Sequence, residues 1–293
     1  MLHNLRRRPL PDYLKTKLQR LRKRRRVTLC IAATGYVGEV SDHQLRIVYG
    51  WDAREENQFT GGDVAFKVEI VKSMIALQSG EESAPEDFLS TCRICLPDNL
   101  HFSNAFDQLN AAVGTHKQKL CQRKAQKKFG IDYDRVLTKG EQELPAETRE
   151  RFFYDLEKLD PGYEVIIFGF DGVGPLIFVV DGYDVRSCSQ GFATVGSGAV
   201  IAETVLYQRK QQFGIHLDYT VYNVYEAFRL ASGAAPGVGS FTLAIASPST
   251  DPKNPIESKF VNDAGKEMLE EAFQKFGPRA VEDPPMLATD HFQ

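Results

Sequence analysis

The chain has 293 residues, 42% of them apolar and 26% charged, with a formal net charge of −3. That length supports one large domain or two small ones, and the composition is that of a globular protein with a substantial core. No stretch approaches the roughly 20 apolar residues of a membrane-spanning helix. No apolar segment follows the basic N-terminus as a secretory signal requires. The five cysteines, an odd number without regular spacing, argue against a secreted disulfide framework and favour a reducing, cytoplasmic setting.

The small net charge conceals an asymmetry. Residues 1–26 hold eleven Lys or Arg against one acid, Asp12, or +10, while the remainder holds 25 basic and 38 acidic residues, or −13. The head is thus a basic arm, separate from an acidic globular body. Leu14, Leu18 and Leu21 form one face of a short amphipathic helix there. The arm reads as solvated, or as a patch for nucleic acid or acidic lipid. A translation start at Val27 is a further reading, in which residues 1–26 are not part of the native protein.

From residue 27 the pattern becomes that of strands. Residues 27–34 and 45–51 are apolar and β-prone, and 66–71 and 73–78 form two more runs split by Lys72. The short connections suit antiparallel pairing. Helices follow. Residues 85–94 open with an acidic turn. Residues 102–129 carry Phe102, Phe106, Leu109 and Val113 at helical spacing, and the basic stretch 117–128 reads as a solvated face. A further helix is predicted over 146–159. Strands return at 164–170 and 176–181 around Asp171-Gly172-Val173-Gly174, a hairpin turn. Residues 197–212 and 219–231 read as helices, 240–246 as a strand, and 262–276 as a last amphipathic helix. The tail, 277–293, is Pro-rich and is expected to be loose. Blocks of strands and helices in this order predict an α+β fold with sheet packed on sheet and helices outside, not an alternating Rossmann layout.

Several catalytic motifs are absent: no GxxxxGK[ST], no HExxH and no GxSxG. Cys92 and Cys95 have CxxC spacing without the companion ligands that zinc needs, and read as ordinary thiols on or near a helix. A different logic remains open. A hydroxyl nucleophile needs a base, and a free α-amine supplies one when the nucleophile is the first residue of the chain. The amine's ordinary pKa, about 7.7–8.0, suits that task near neutrality. A lysine ammonium stabilises developing negative charge, a carboxylate holds that lysine, and a backbone N–H receives the oxyanion. The chain supplies these groups at strand ends. Thr28 opens the first strand, Asp52 closes the second, Lys67 starts the third, and Gly80 follows the fourth.

This series resembles the start of a proteasome β subunit, and more closely the bacterial ancestral-type β subunits, members of the N-terminal-nucleophile (Ntn) hydrolase family. The resemblance extends through the central hairpin at 164–181, through Thr194-Val195-Gly196-Ser197-Gly198, similar to the turn that opens the family's third helix, and through Asn223-Val224-Tyr225-Glu226-Ala227 in its fourth. It covers most of residues 27–246. It implies a four-layer αββα sandwich of two antiparallel sheets flanked by helices, occupying residues 27–276. It also implies threonine-type hydrolysis of peptides or proteins, no metal or organic cofactor, and a homo-oligomeric ring or spiral. By position, Thr28 matches the nucleophile, Asp52 the acid that holds the lysine, and Lys67 that lysine. Gly80 matches the oxyanion turn, and Ser197 the serine beside the nucleophile and its amine. Arg54 falls where the family often has an arginine and is assigned a structural role.

Three departures stand beside it. Thr28 is preceded by Val27 rather than by the usual Gly. Its amine is therefore exposed by a start at Val27 or by another protease, or it is never freed. The family's late Asp-x-x-Ser pair has no clear counterpart, with Ser232 the nearest candidate. Residues 92–160 exceed the usual helical hairpin. Taken singly, Thr28 is an ordinary β-branched strand residue, Asp52 and Lys67 a structural ion pair, and Ser197 a helix N-cap. Two other functions follow from those readings: a catalytically inactive, proteasome-like structural or interaction subunit, and, less well matched to the acidic body, a nucleic-acid-associated protein using the basic arm.

Overall fold

The computed structural model describes residues 28–38, 44–52, 67–80, 83–98, 100, 104–171, 174–235, 238–251 and 254–278. The basic arm with its predicted helical face, Arg54 and most of the tail lie outside them. The chain divides into two compact units, one ending at Phe260 and one beginning at Val261.

The first unit runs β1 (Cys30–Val37), β2 (Gln44–Asp52), β3 (Val68–Val71), β4 (Met74–Gly80), α1 (Ala84–Cys95), α2 (Ala105–Phe129), α3 (Tyr133–Glu143), α4 (Ala146–Glu157), β5 (Tyr163–Phe170), β6 (Pro175–Asp181), β7 (Asp184–Ser187), β8 (Phe192–Val195), α5 (Ala199–Gln208), α6 (Leu217–Ala234), β9 (Phe241–Pro248) and β10 (Ile256–Phe260). Two five-stranded sheets result, ordered β10-β9-β2-β1-β8 and β3-β4-β5-β6-β7. Every strand pair in them is antiparallel. Helices flank both sheets, and the result is the expected αββα sandwich.

The sandwich follows from the two-residue period of its strands. Cys30 and Ala32 of β1, Ile47 and Tyr49 of β2, Ile75 and Leu77 of β4, and Ile166 and Phe168 of β5 meet in one core between the sheets. The alternate residues Met74, Ala76, Val165 and Ile167 face outward and are buried under Phe88, Leu89 and Cys92 of α1 and Leu109, Ala112 and Val113 of α2. Both faces of β4 and β5 are covered, which is why most of their sequence reads as an apolar run, Met74–Leu77 in β4 and Val165–Phe168 in β5.

On the other sheet, glycines allow α6 to approach closely. A Cβ at Gly50 would lie 2.8 Å from the Phe228 ring, and one at Gly35 would lie 2.9 Å from the Thr220 hydroxyl. A buried polar network fixes the α5–α6 connection. Gln211 donates to the Thr34 carbonyl at 3.0 Å, and Asn223 donates to Gln211 Oε1 at 2.9 Å. The predicted helix over 197–212 is accordingly shorter than expected, because Gln211 leaves the helix to make these bonds.

Sequence patterning missed four elements: β7, β8, α3 and β10. The strands among them have only four or five residues, too few to display a period. The helix α3 carries only Val136 and Gly140 as buried positions. It packs with α4 on the C-terminal half of α2 around Cys121, Ala125, Val136, Phe152 and Leu156, a satellite core of its own.

The second unit contains α7 (Asp263–Phe276), whose N-terminus is capped by Asn262 accepting from the Gly265 N–H at 2.9 Å. No described helix is long and apolar enough to cross a membrane.

Candidate active site

The first strand enters the sandwich at Thr28 and Leu29, both buried. Asp52, at the far end of β2, lies beside this entry because β1 and β2 pair antiparallel with Cys30 opposite Trp51. The Asp52 N–H donates to the Leu29 carbonyl at 3.1 Å, and the Leu29 N–H donates to Asp52 Oδ1 at 3.1 Å. The same oxygen accepts from Lys67 Nζ at 2.5 Å. Asp52 is fully buried and Lys67 is 8% exposed, so this is an ion pair removed from water. Asp52 Oδ2 is buried and has no hydrogen-bond partner among the described residues. Burial consequently pushes the Asp52 carboxyl above the usual carboxylate range, against the opposing pull of the Lys67 ammonium and the Leu29 N–H.

The other side of Thr28 is formed by the turn between β8 and α5. The Thr28 N–H donates to Ser197 Oγ at 3.2 Å. Ser197 does not cap the helix that follows: the N-cap is Gly198, with no side-chain cap bond. The turn can approach Thr28 because Gly196 lacks a side chain. A Cβ there would lie 2.1 Å from the Thr28 carbonyl oxygen, and its φ of +98° is one that glycine tolerates best.

Gly80 ends β4 with φ +137°, and a Cβ on it would lie 2.3 Å from the Gly162 carbonyl oxygen. Its neighbour Ser79 borders the same turn, with Oγ 3.1 Å from the position a Gly196 Cβ would take. The structure thus bonds Ser197 to residue 28, Asp52 to residue 29 and Lys67 to Asp52, and Gly80 follows Ser79, which borders the Gly196 turn. Ser232 donates its hydroxyl proton to the Arg229 carbonyl within α6 at 2.9 Å.

Sequence reasoning missed Glu164. It lies on the inter-sheet face of β5, in register with Ser79 of β4 and Asp181 of β6, and its Oε2 accepts from the Gly196 N–H at 2.8 Å. The available signal was a glutamate at an inward-facing position of the otherwise apolar Tyr163–Phe170 strand. Among the described residues no group of three or more His, Cys, Asp or Glu is arranged to hold a metal ion.

The groups brought together are the Thr28 main-chain nitrogen, the Ser197 hydroxyl that accepts from it, and the buried Lys67 held by Asp52. No family model matches the chain, and no curated protein matches it. The αββα layering is consistent with the broad superfamily of Ntn hydrolases, which includes hydrolytic enzymes.

Proposed function

We propose that the chain is a threonine-type amide hydrolase acting on peptides or proteins, with Thr28 as the nucleophile once its α-amine is freed. The observation that supports this most is the convergence of Ser197 Oγ on the Thr28 nitrogen and of the Asp52–Lys67 pair on residue 29. A structural ion pair alone accounts for Asp52 and Lys67. It does not account for a serine that leaves the helix uncapped and takes up the Thr28 N–H instead.

In this reading Thr28 Oγ attacks the substrate carbonyl carbon while its proton passes to the α-amine. The oxyanion of the tetrahedral intermediate is received by the Gly80 N–H. Collapse breaks the C–N bond, the leaving amine takes the proton from the α-ammonium, and an ester to Thr28 remains. Water, deprotonated by the α-amine, then hydrolyses that ester and restores the hydroxyl. Lys67, fixed by Asp52, lowers the cost of the negative charge on Oγ during attack.

N-terminal sequencing of the protein from its own cell, paired with an amidase assay, tests the proposal. The expected outcome is a chain beginning at Thr28 whose peptide-amide hydrolysis is abolished by Thr28→Ala. A chain that keeps residues ahead of Thr28 and hydrolyses nothing would instead be a non-catalytic subunit of the same shape.

A further inference from the structure

Glu164 has no part in the reaction as set out above, yet it reaches the Ser197 turn from the opposite sheet, as its neighbour Ser79 of β4 does. The turn between β8 and α5 belongs to the sheet that contains β1, whereas Glu164 stands on β5 of the other sheet. Its 2.8 Å bond to the Gly196 N–H therefore crosses the gap between the sheets. On its other side the turn rests on Thr28, with the Gly198 N–H directed at the Thr28 carbonyl at 3.4 Å. Gly196 is held between a carboxylate and the chain it must approach, and Ser197 is the next residue.

We propose that Glu164 is a positioning residue. By clamping the Gly196 N–H it sets Ser197 Oγ against the Thr28 nitrogen, and so fixes the orientation of the base in the proposed hydrolysis. The inference rests on the proposed function for its catalytic consequence, though not for its structural one. A hydrogen bond to a carboxylate is about twice as strong as one between neutral groups, and it acts here on the turn that also meets Thr28 through Ser197 Oγ and the Gly198 N–H. In this account Glu164 acts through the turn rather than on substrate. Its loss therefore affects the rate of the chemical step rather than binding.

The experiment compares Glu164→Ala and Glu164→Gln in the full chain. Glutamine keeps an oxygen that accepts from the Gly196 N–H, and alanine does not. Two readouts are taken: amide hydrogen exchange of the peptide containing Gly196, and kcat and KM on a fluorogenic peptide amide. In Glu164→Ala the Gly196 amide is expected to exchange at least about tenfold faster than in wild type. Its kcat falls by about tenfold to a hundredfold, the scale set by ångström misplacement of a catalytic group, with KM within about twofold. Glu164→Gln is expected to restore both protection and most of kcat.

Unchanged exchange in Glu164→Ala overturns the inference. So does a Glu164→Gln variant as impaired as the alanine one, which would mean that charge rather than the clamp matters. Should the alanine variant not fold, Glu164→Met, which keeps the stem without the acceptor, takes its place with the same expected outcome. A wild-type chain that hydrolyses nothing would count against the proposed function, and the exchange measurement would still decide the clamp.

Discussion

Among the described residues Asp52 accepts two hydrogen bonds on one oxygen and none on the other, and the balance of its site depends on Lys67. Lys67→Met removes the ammonium and leaves a buried, unpaired carboxylate, a loss of about 3–5 kcal/mol that urea denaturation would measure. The pH dependence has a definite sign. Because burial holds the Asp52 carboxyl above its unfolded value, the folded state binds this proton more tightly than the unfolded chain does. Its contribution to stability is therefore full below the unfolded carboxylate value and is lost as pH rises through the folded one. In Lys67→Met that loss is steeper, so the variant's deficit against wild type narrows as pH is lowered; a deficit that widens would contradict it. Gly196 gives an independent check. Gly196→Ala places a Cβ against the Thr28 carbonyl at a φ that alanine resists, costing at least about 1–3 kcal/mol and displacing Ser197. Cys30 and Cys92 are fully buried and each thiol is pushed up to about 12 by burial, whereas Cys95 is exposed. Iodoacetamide at neutral pH should therefore modify Cys95 and spare Cys30 and Cys92 in the folded protein, as peptide mass spectrometry would show.

At the level of elements, the sequence reported the strands that are long enough to alternate and the helices that carry a broad apolar stripe. It was less informative where tertiary bonds decide the outcome. The basic half of α2 reads in sequence as a solvated face, and Lys117, Lys119, Arg123, Lys127 and Lys128 are indeed exposed, but some of its cations also tie α2 to neighbouring helices. Arg123 pairs with Asp87 of α1 at 2.5 Å, Lys128 with Asp155 of α4 at 2.5 Å, and Lys124 donates to the Asp155 carbonyl at 2.8 Å. No local period encodes such partners, because the acids lie about 30 residues away in sequence. Nor was the satellite core legible, since α3 offers too few apolar positions to announce itself. Phe152 is its fully buried centre, against Phe129 at 5.3 Å between ring centroids. Phe152→Ala should cost about 3–5 kcal/mol. The loss is expected to be concentrated in α2–α4, so hydrogen exchange should accelerate there before it does in β4 and β5.

For the whole molecule, the order of the strand ends brings the candidate site together. Residues from positions 28, 52, 67, 80, 164 and 197 reach one end of the sandwich because antiparallel pairing returns alternate strand ends to the same side. The sequence offered Thr28, Asp52, Lys67, Gly80 and Ser197 as candidates because each stands at a strand end or turn in a recognisable order. It did not offer Glu164, whose bond to the Gly196 N–H depends on a turn beside the other sheet. The claim that Thr28 acts as a nucleophile is tested most directly by treating the protein from its own cell with a threonine-directed electrophile and mapping the adduct by mass spectrometry. The account predicts a single adduct on Thr28, at the N-terminus of the mature chain, that is absent from Thr28→Ala. An unmodified protein in which Thr28 is still joined to Val27 would contradict it.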